Sequence, residues 1–331
     1  MAFVVDSAEW CFDGWSVSEI ADAIDGLLDR VQTARARNET IWIGNDLQTR
    51  PVLGVFDLWS LCAPSAPVTL STELWQELAA WLGTAPCYLD GDWPDGMTET
   101  LMQIGLDPPE ENADLAWAHH HVRGGRAVGC LGLKRSGPHE TLSSRGHASV
   151  HWIQDETTHR AFWRAAIDVE GDNEATLERL AYHAFPDLYF QDGVWRGLGR
   201  LAGGYLAVRR QLRRYLSVLD DHGKWAFTFP PPALSPGEVT ELESNAQPSN
   251  QVIERRFHGL NLTMAPEKPA VSADPRCRSA REITIGKRSV FCEWHGKLEP
   301  HRNRLHVHSP IFESGGKVVI GIIDEHLPLP G

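Results

Sequence analysis

The sequence has no paired cysteine motif. Its six cysteines, Cys11, Cys62, Cys87, Cys130, Cys277 and Cys292, are scattered through 331 residues without a Cys-x-x-Cys. A chain of this length buries a core without covalent staples, so a disulfide framework is not expected. No stretch approaches the roughly 18 consecutive apolar residues of a membrane span. The opening Met-Ala-Phe-Val-Val-Asp-Ser has no basic region ahead of a long apolar run, so it does not read as a secretory signal. A reducing, cytoplasmic setting without a membrane is the expectation.

Common enzyme motifs are missing as well. No Gly-x-Gly-x-x-Gly opens a helix after a strand, and there is no Gly-x-x-x-x-Gly-Lys-Ser/Thr. There is no Gly-x-Ser-x-Gly elbow and no His-Glu-x-x-His. Dinucleotide binding, P-loop nucleotide hydrolysis, hydrolase-elbow chemistry and zinc proteolysis of those types are therefore unsupported, and no cofactor is expected.

What is present is uneven charge. Residues 1–199 carry 13 Lys and Arg against 30 Asp and Glu, a balance of −17; residues 200–331 carry 18 against 14, a balance of +4. The acidic front argues against broad nucleic-acid binding there and suits a protein partner, while the tail has room for a phosphate-bearing substrate. Thirteen tryptophans supply core or interface anchors. Exposed Trp10, Trp15, Trp93 or Trp195 would favour a non-enzymatic, protein-binding or sensor role.

Along the chain, Phe3–Asp6 reads as a strand. Ser16 with Glu19 forms a capping-box pattern, and Ile20, Ile24, Leu27, Leu28 and Val31 then follow at helical spacing. Further elements are a strand at Ile41–Ile43, a helix from Ser71 to about Gly83, a loop region over 86–113, and strands near 127–133 and 148–153. His119-His120-His121 is placed on a strand, so that His119 and His121 share a face; a His-x-His metal pair there lacks companion ligands, and a plain structural role is favoured. A helix runs through Phe162 and Ile167, another starts at Asn173, and a long one spans Leu198–Leu219. That long helix carries Arg209, Arg210, Arg213 and Arg214, a solvated or acid-paired cluster more than a nucleic-acid patch. Residues 223–275 read as a Pro-rich connector with one helical turn at Glu238–Leu242.

The last fifty residues alternate at the period of a strand. Val290, Cys292 and Trp294 point one way, and Glu293, His295 and Lys297 the other. Across a short connection, Leu305 and Val307 oppose Arg304, His306 and His308. If the two runs pair antiparallel, an acid, three imidazoles and two cations converge on one face. Histidine is the commonest general acid or base. The bland alternative is an ordinary wet sheet face. Two chemistries fit. Metal-independent RNA cleavage would use Glu293 or His295 as base and His306 or His308 as acid, with Lys297, Arg302 and Arg304 binding phosphate. A zinc site would use His306-x-His308 with His295 or Glu293; the neighbouring cations disfavour it, so no metal is expected.

The order of hairpin, basic strand, Val-Val-Ile-Gly-Ile-Ile and His-Leu-Pro over about 276–331 resembles small bacterial ribonuclease toxins of the RelE/HigB kind. That resemblance implies a twisted antiparallel sheet with Lys297, Arg304, His306 and the terminal His326 as its working residues. It also implies a toxin–antitoxin or phage-defence setting with RNA as substrate. The paired helices of that family are not evident ahead of the meander. The expected fold is α+β: an acidic mixed α/β body over 1–222, the connector over 223–275, and a C-terminal antiparallel β-meander over 276–331.

Overall fold

The computed structural model describes residues 3–63, 65–89, 92–228 and 248–331. The chain is α+β and divides into two compact units, Met1–Gly171 and Asp172–Gly331. The division falls well ahead of the change of composition at 222/223, because the helices before that point pack with the C-terminal sheet.

Unit 1 has strands β1 (Phe3–Val5), β2 (Ile41–Trp42), β3 (Pro51–Leu53), β4 (Phe56–Asp57), β5 (Leu101–Ile104), β6 (Glu110–Glu111), β7 (Gly129–Leu131), β8 (Gly137–Ser143) and β9 (Gly146–Trp152). Its helices are α1 (Val17–Ala36), α2 (Asp46–Thr49), α3 (Thr72–Leu82), α4 (Ala113–Arg123) and α5 (Glu156–Val169). Seven strands form one sheet in the order β2-β1-β7-β9-β8-β5-β6. β2, β1, β7 and β9 are parallel; β9, β8, β5 and β6 alternate in direction. The parallel half is covered on both faces, which is why Phe3-Val4-Val5 is apolar throughout and wholly buried. The capping box expected at α1 forms: Ser16 Oγ accepts from Glu19 N at 3.2 Å, and Glu19 Oε2 accepts from Ser16 N at 2.7 Å. Ile20, Ile24, Leu27, Leu28 and Val31 are its buried stripe.

Two expectations fail in this unit. The region 86–113 is not all loop, since it contains β5 and β6. The three histidines lie on α4, not on a strand, so His119 and His121 do not share a face. Asn112 caps α4 by accepting from Leu115 N at 2.9 Å. The helix is buried on nearly every side, so the two-sided pattern that marks a surface helix is absent. Each imidazole is used locally: His119 meets Thr141 Oγ1 and Ser143 Oγ at 2.8 and 3.0 Å, His120 meets Glu99 O at 3.2 Å, and His121 meets Asp92 O at 3.1 Å. Burial, first among the causes, pushes the pKa values of His119 and His121 down to about 4, so both rings stay neutral.

Unit 2 has strands β10 (Leu188–Phe190), β11 (Met264–Pro266), β12 (Glu282–Ile285), β13 (Arg288–Phe291), β14 (Trp294–Lys297), β15 (Arg304–His308) and β16 (Val318–Asp324). Its helices are α6 (Glu174–Ala184), α7 (Gly204–Thr228), α8 (Asn250–Gly259), α9 (Pro269–Ala273) and α10 (Pro275–Ser279). The main sheet has the order β10-β16-β15-β14-β11, and β14, β15 and β16 form the antiparallel meander. The single strand expected from Arg288 to Lys297 is two. β13 pairs with β12 in a separate hairpin, and β14 enters the main sheet. The break falls just after Cys292, whose backbone N donates to Arg281 O at 2.9 Å and so extends the β12–β13 pairing by one rung before the chain passes to β14.

α7 lies against one face of the main sheet. Tyr215 OH accepts from Thr263 N at 3.0 Å and lies 3.0 and 3.1 Å from the carbonyls of Thr263 and Lys297. A Cβ at Gly296 would sit 2.5 Å from the Tyr215 ring, so only glycine lets β14 approach the helix this closely. Arg209 and Arg213 lie 3.6 and 3.2 Å from Asp172, in line with an acid-paired cluster. The segment expected as a connector contains α8, β11 and α9. The helical turn expected at Glu238–Leu242 lies outside the described residues.

Candidate functional site

The register of β14 and β15 places His295 opposite His306 and Lys297 opposite Arg304. The two imidazoles therefore share a face, with ring centroids 5.9 Å apart. Below them lies a residue absent from the sequence-based set, Glu267. The Nδ1 atoms of His295 and His306 are each 3.3 Å from the same oxygen, Glu267 Oε1. Arg281 Nε donates to that oxygen at 2.8 Å. The imidazole contacts are ion-pair distances without hydrogen-bond alignment: both Nδ1 atoms, and Nε2 of His306, have no hydrogen-bond partner among the described residues.

β11 brings Glu267 into place. It pairs antiparallel with β14, setting Ala265 opposite His295, and Glu267 N continues the ladder by donating to Glu293 O at 2.7 Å. Pro266 is tolerated because β11 is the edge strand of the sheet. Arg281 arrives from the end of α10. It is anchored by donating from Nη1 to the carbonyls of Cys277 and Pro328, each at 3.0 Å. Burial raises the Glu267 carboxyl's pKa, but His295, His306 and Arg281 together outweigh that and hold it well below the usual carboxylate range. Burial, partly opposed by Glu267, keeps the His306 pKa below its ordinary value. Burial likewise pushes the thiol of Cys292 up to about 12, with Glu267 and Glu293 adding to it. The site is an ionised acid held among cationic and neutral nitrogen groups.

The expected residues divide by access. His295 is half-buried, with 18 % of its side chain exposed. His308 is half-buried and its Nδ1 donates to Ser309 O at 2.7 Å. Glu293, Lys297 and Arg302 are exposed, and Glu293 accepts from Ser309 Oγ at 3.2 Å. His306 departs from the expectation of an accessible face: it is 2 % exposed, sealed beneath its neighbours. Arg304 is corrected more sharply. Its guanidinium is buried and donates to the carbonyls of Glu299, Arg302 and Asn303, clamping the hairpin loop; it does not face solvent as a phosphate binder. His326 is exposed in the tail, its Nδ1 3.0 Å from Leu327 O, and among the described residues no hydrogen bond or ion pair joins it to the cluster.

Sequence reasoning missed Glu267 and Arg281. Glu267 stands between Pro266 and Pro269, where proline reads as connector, and the ladder that recruits it joins segments far apart in sequence. The only available signal was the Met264-Ala265-Pro266 run just before it, which fits a short edge strand. Among the described residues, no group of three or more His, Cys, Asp or Glu side chains is placed to hold a metal ion. Of the four tryptophans named above, Trp10 and Trp195 are buried and Trp15 and Trp93 are half-buried. No helix among the described residues is long and apolar enough to cross a membrane. Comparison with protein-family models, with curated proteins and with solved structures finds no match.

Proposed function

We propose that the β14/β15 face is the centre of a metal-independent endoribonuclease. The observation that carries this reading is a partly exposed imidazole, His295, whose inner nitrogen lies 3.3 Å from a buried carboxylate, Glu267. A carboxylate behind Nδ1 favours the tautomer that carries its proton there, leaving Nε2 free as the base. His295 takes the proton of a ribose 2′-hydroxyl. The new bond forms between O2′ and phosphorus, the bond to O5′ breaks, and the leaving oxygen takes a proton. The products are a 2′,3′-cyclic phosphate and a 5′-hydroxyl.

His308 is the acid in this reading. It lies diagonally across the strand pair from His295, a neighbour relation of roughly 7–8 Å and somewhat less between Cβ atoms, which leaves room for a phosphodiester between the rings. Exposed Lys297 and Arg302 supply positive charge to the phosphate. His306 and Arg281 are positioning residues: they act through Glu267 by keeping it ionised.

Such a unit fits a bacterial toxin or phage-defence component, the setting implied by the resemblance to RelE/HigB-type toxins. The test is cleavage of an oligoribonucleotide by the full chain with a chelator present. His295→Gln is expected to lower the rate at least about 10²-fold, and a 2′-deoxy substitution at the scissile position to abolish cleavage. Induced expression should arrest bacterial growth, and the same substitution should relieve the arrest. Cleavage untouched by His295→Gln, or dependent on a divalent cation, would overturn the reading.

A further inference from the structure

Unit 1 contains a cavity of about 190 Å³ at the carboxyl ends of two parallel strands. Leu131 ends β7, and Ile153 and Gln154 directly follow β9; α1 closes the opposite side with Leu27 and Arg30. In open sheets with parallel strands, ligands bind beyond those ends. Two lining side chains carry buried donors. The indole Nε1 of Trp10 and an Nη1 of Arg30 have no hydrogen-bond partner among the described residues. Trp10 is 1 % exposed. An indole N–H and a guanidinium donate and do not accept, and leaving such groups unpaired away from water is costly.

Both donors ask for an acceptor; the Arg30 charge is felt by Asp155, but that carboxylate does not reach Nη1, and a positive charge there favours an anion. The other walls, Leu27, Leu131, Leu133 and Ile153, are apolar. The space is smaller than the pockets that hold drug-sized ligands, which excludes a nucleotide. Asp22, exposed at the rim, disfavours a dianion. Glu9 lies against Gly132 in the wall but is already occupied, by the backbone N–H groups of Lys134 and Arg135 and by the Arg135 guanidinium.

We propose that this cavity binds a small monocarboxylate with an aliphatic or aromatic body, its oxygens received by Trp10 Nε1 and Arg30. The experiment uses the full chain with benzoate and isovalerate as probes, read by calorimetry and ligand-observed NMR. Saturable one-to-one binding of at least one of them is expected. Trp10→Phe keeps an aromatic side chain but removes the pyrrole ring with its N–H; Arg30→Gln removes the charge at a half-buried helix position. Each is expected to weaken binding about 5- to 20-fold, and benzyl alcohol should bind at least about 10-fold more weakly than benzoate. Should Trp10→Phe fail to fold, Arg30→Gln alone decides. The proposal is overturned if neither carboxylate saturates, if benzyl alcohol binds as well as benzoate, if phosphate displaces benzoate at equal concentration, or if the folded variants bind like the parent chain.

Discussion

Asp6 in the first unit and Glu267 in the second are both buried acids, and their surroundings treat them oppositely. Asp6 accepts from Asn112 Nδ2 at 2.8 Å and Trp152 Nε1 at 3.0 Å, both neutral donors. Burial first, and then Glu9, push its pKa up to about 7, beyond what those two bonds offset. Glu267 faces two imidazoles and a guanidinium and stays ionised. The difference follows local stock. Met1–Gly171 has 11 Lys and Arg against 25 Asp and Glu, whereas Asp172–Gly331 has 20 against 19. In unit 1 the buried acids outnumber the cations at hand, and Arg135 is already bound to Glu9 at 2.9 Å. In unit 2 an acid can be surrounded. Complete burial without a cation therefore leaves Asp6 prone to keep its proton, and slightly shallower burial among nitrogen groups leaves Glu267 a fixed negative charge.

The comparison breaks most visibly on removing the charge in unit 2. Glu267→Leu leaves Arg281 and two imidazoles without their common partner, and should cost about 3–5 kcal/mol. Amide exchange in β14 and β15 would report it, and a loss below about 1 kcal/mol would mean that Glu267 organises nothing. A change of pH should move the contributions of the two acids in opposite directions, while His119 and His121 of the first unit, held down to about 4 by burial, lose theirs as the pH falls. Asp6 has a folded pKa above its ordinary 3.8, so its contribution is whole below 3.8 and is lost as the pH rises to about 7. A shift of that size is worth on the order of 4 kcal/mol.

In unit 2 the sign reverses. Glu267, depressed below its ordinary 4.5, contributes above that value and loses its contribution as the pH falls through its folded value. His306, depressed below 6.5, adds to the loss, because below that pH the unfolded chain takes up a proton that the folded one refuses. Exchange in β1 and β7, compared between the parent chain and Asp6→Asn from pH 4 to 8, isolates the share of Asp6, which should shrink as the pH rises, while β14 and β15 should loosen as the pH falls below the ordinary value of His306. A parent-to-variant difference in β1 and β7 that does not change with pH would contradict the assignment.

Two smaller effects sharpen the contrast. Arg304→Met removes a guanidinium that clamps three loop carbonyls, and should cost about 2 kcal/mol, seen as faster exchange around 299–303 with His295-dependent activity retained. Asp6→Asn at pH 8 should change stability by no more than about 1 kcal/mol, since it gives up one acceptor but no longer buries an acid that would ionise at that pH. A cost as large as that of Glu267→Leu would show that Asp6 works as an anion after all.

Much of the fold was legible where local chemistry and burial agree. The α1 capping box, the apolar β1 and the alternation that puts His295 and His306 on one face all follow from short-range spacing. α4 was not legible, because a helix buried on every side loses its period and its histidines then read as a strand. The expected accessible face was half right. Alternation specifies which side of a strand a residue takes, but not what lies over that side, so His306 and Arg304 were placed correctly and their exposure was not.

Sequence by itself determined which residues of β14 and β15 share a face, since a two-residue period sets Leu305 and Val307 opposite Arg304, His306 and His308; a slip of two residues would keep those faces, so the register that pairs His295 with His306 was decided by the fold. Only the tertiary structure decided that Glu267 and Arg281 join them. They come from an edge strand and a helix end that no local pattern links to β14, and the ionisation of a buried acid depends on which charges the folded chain carries to it.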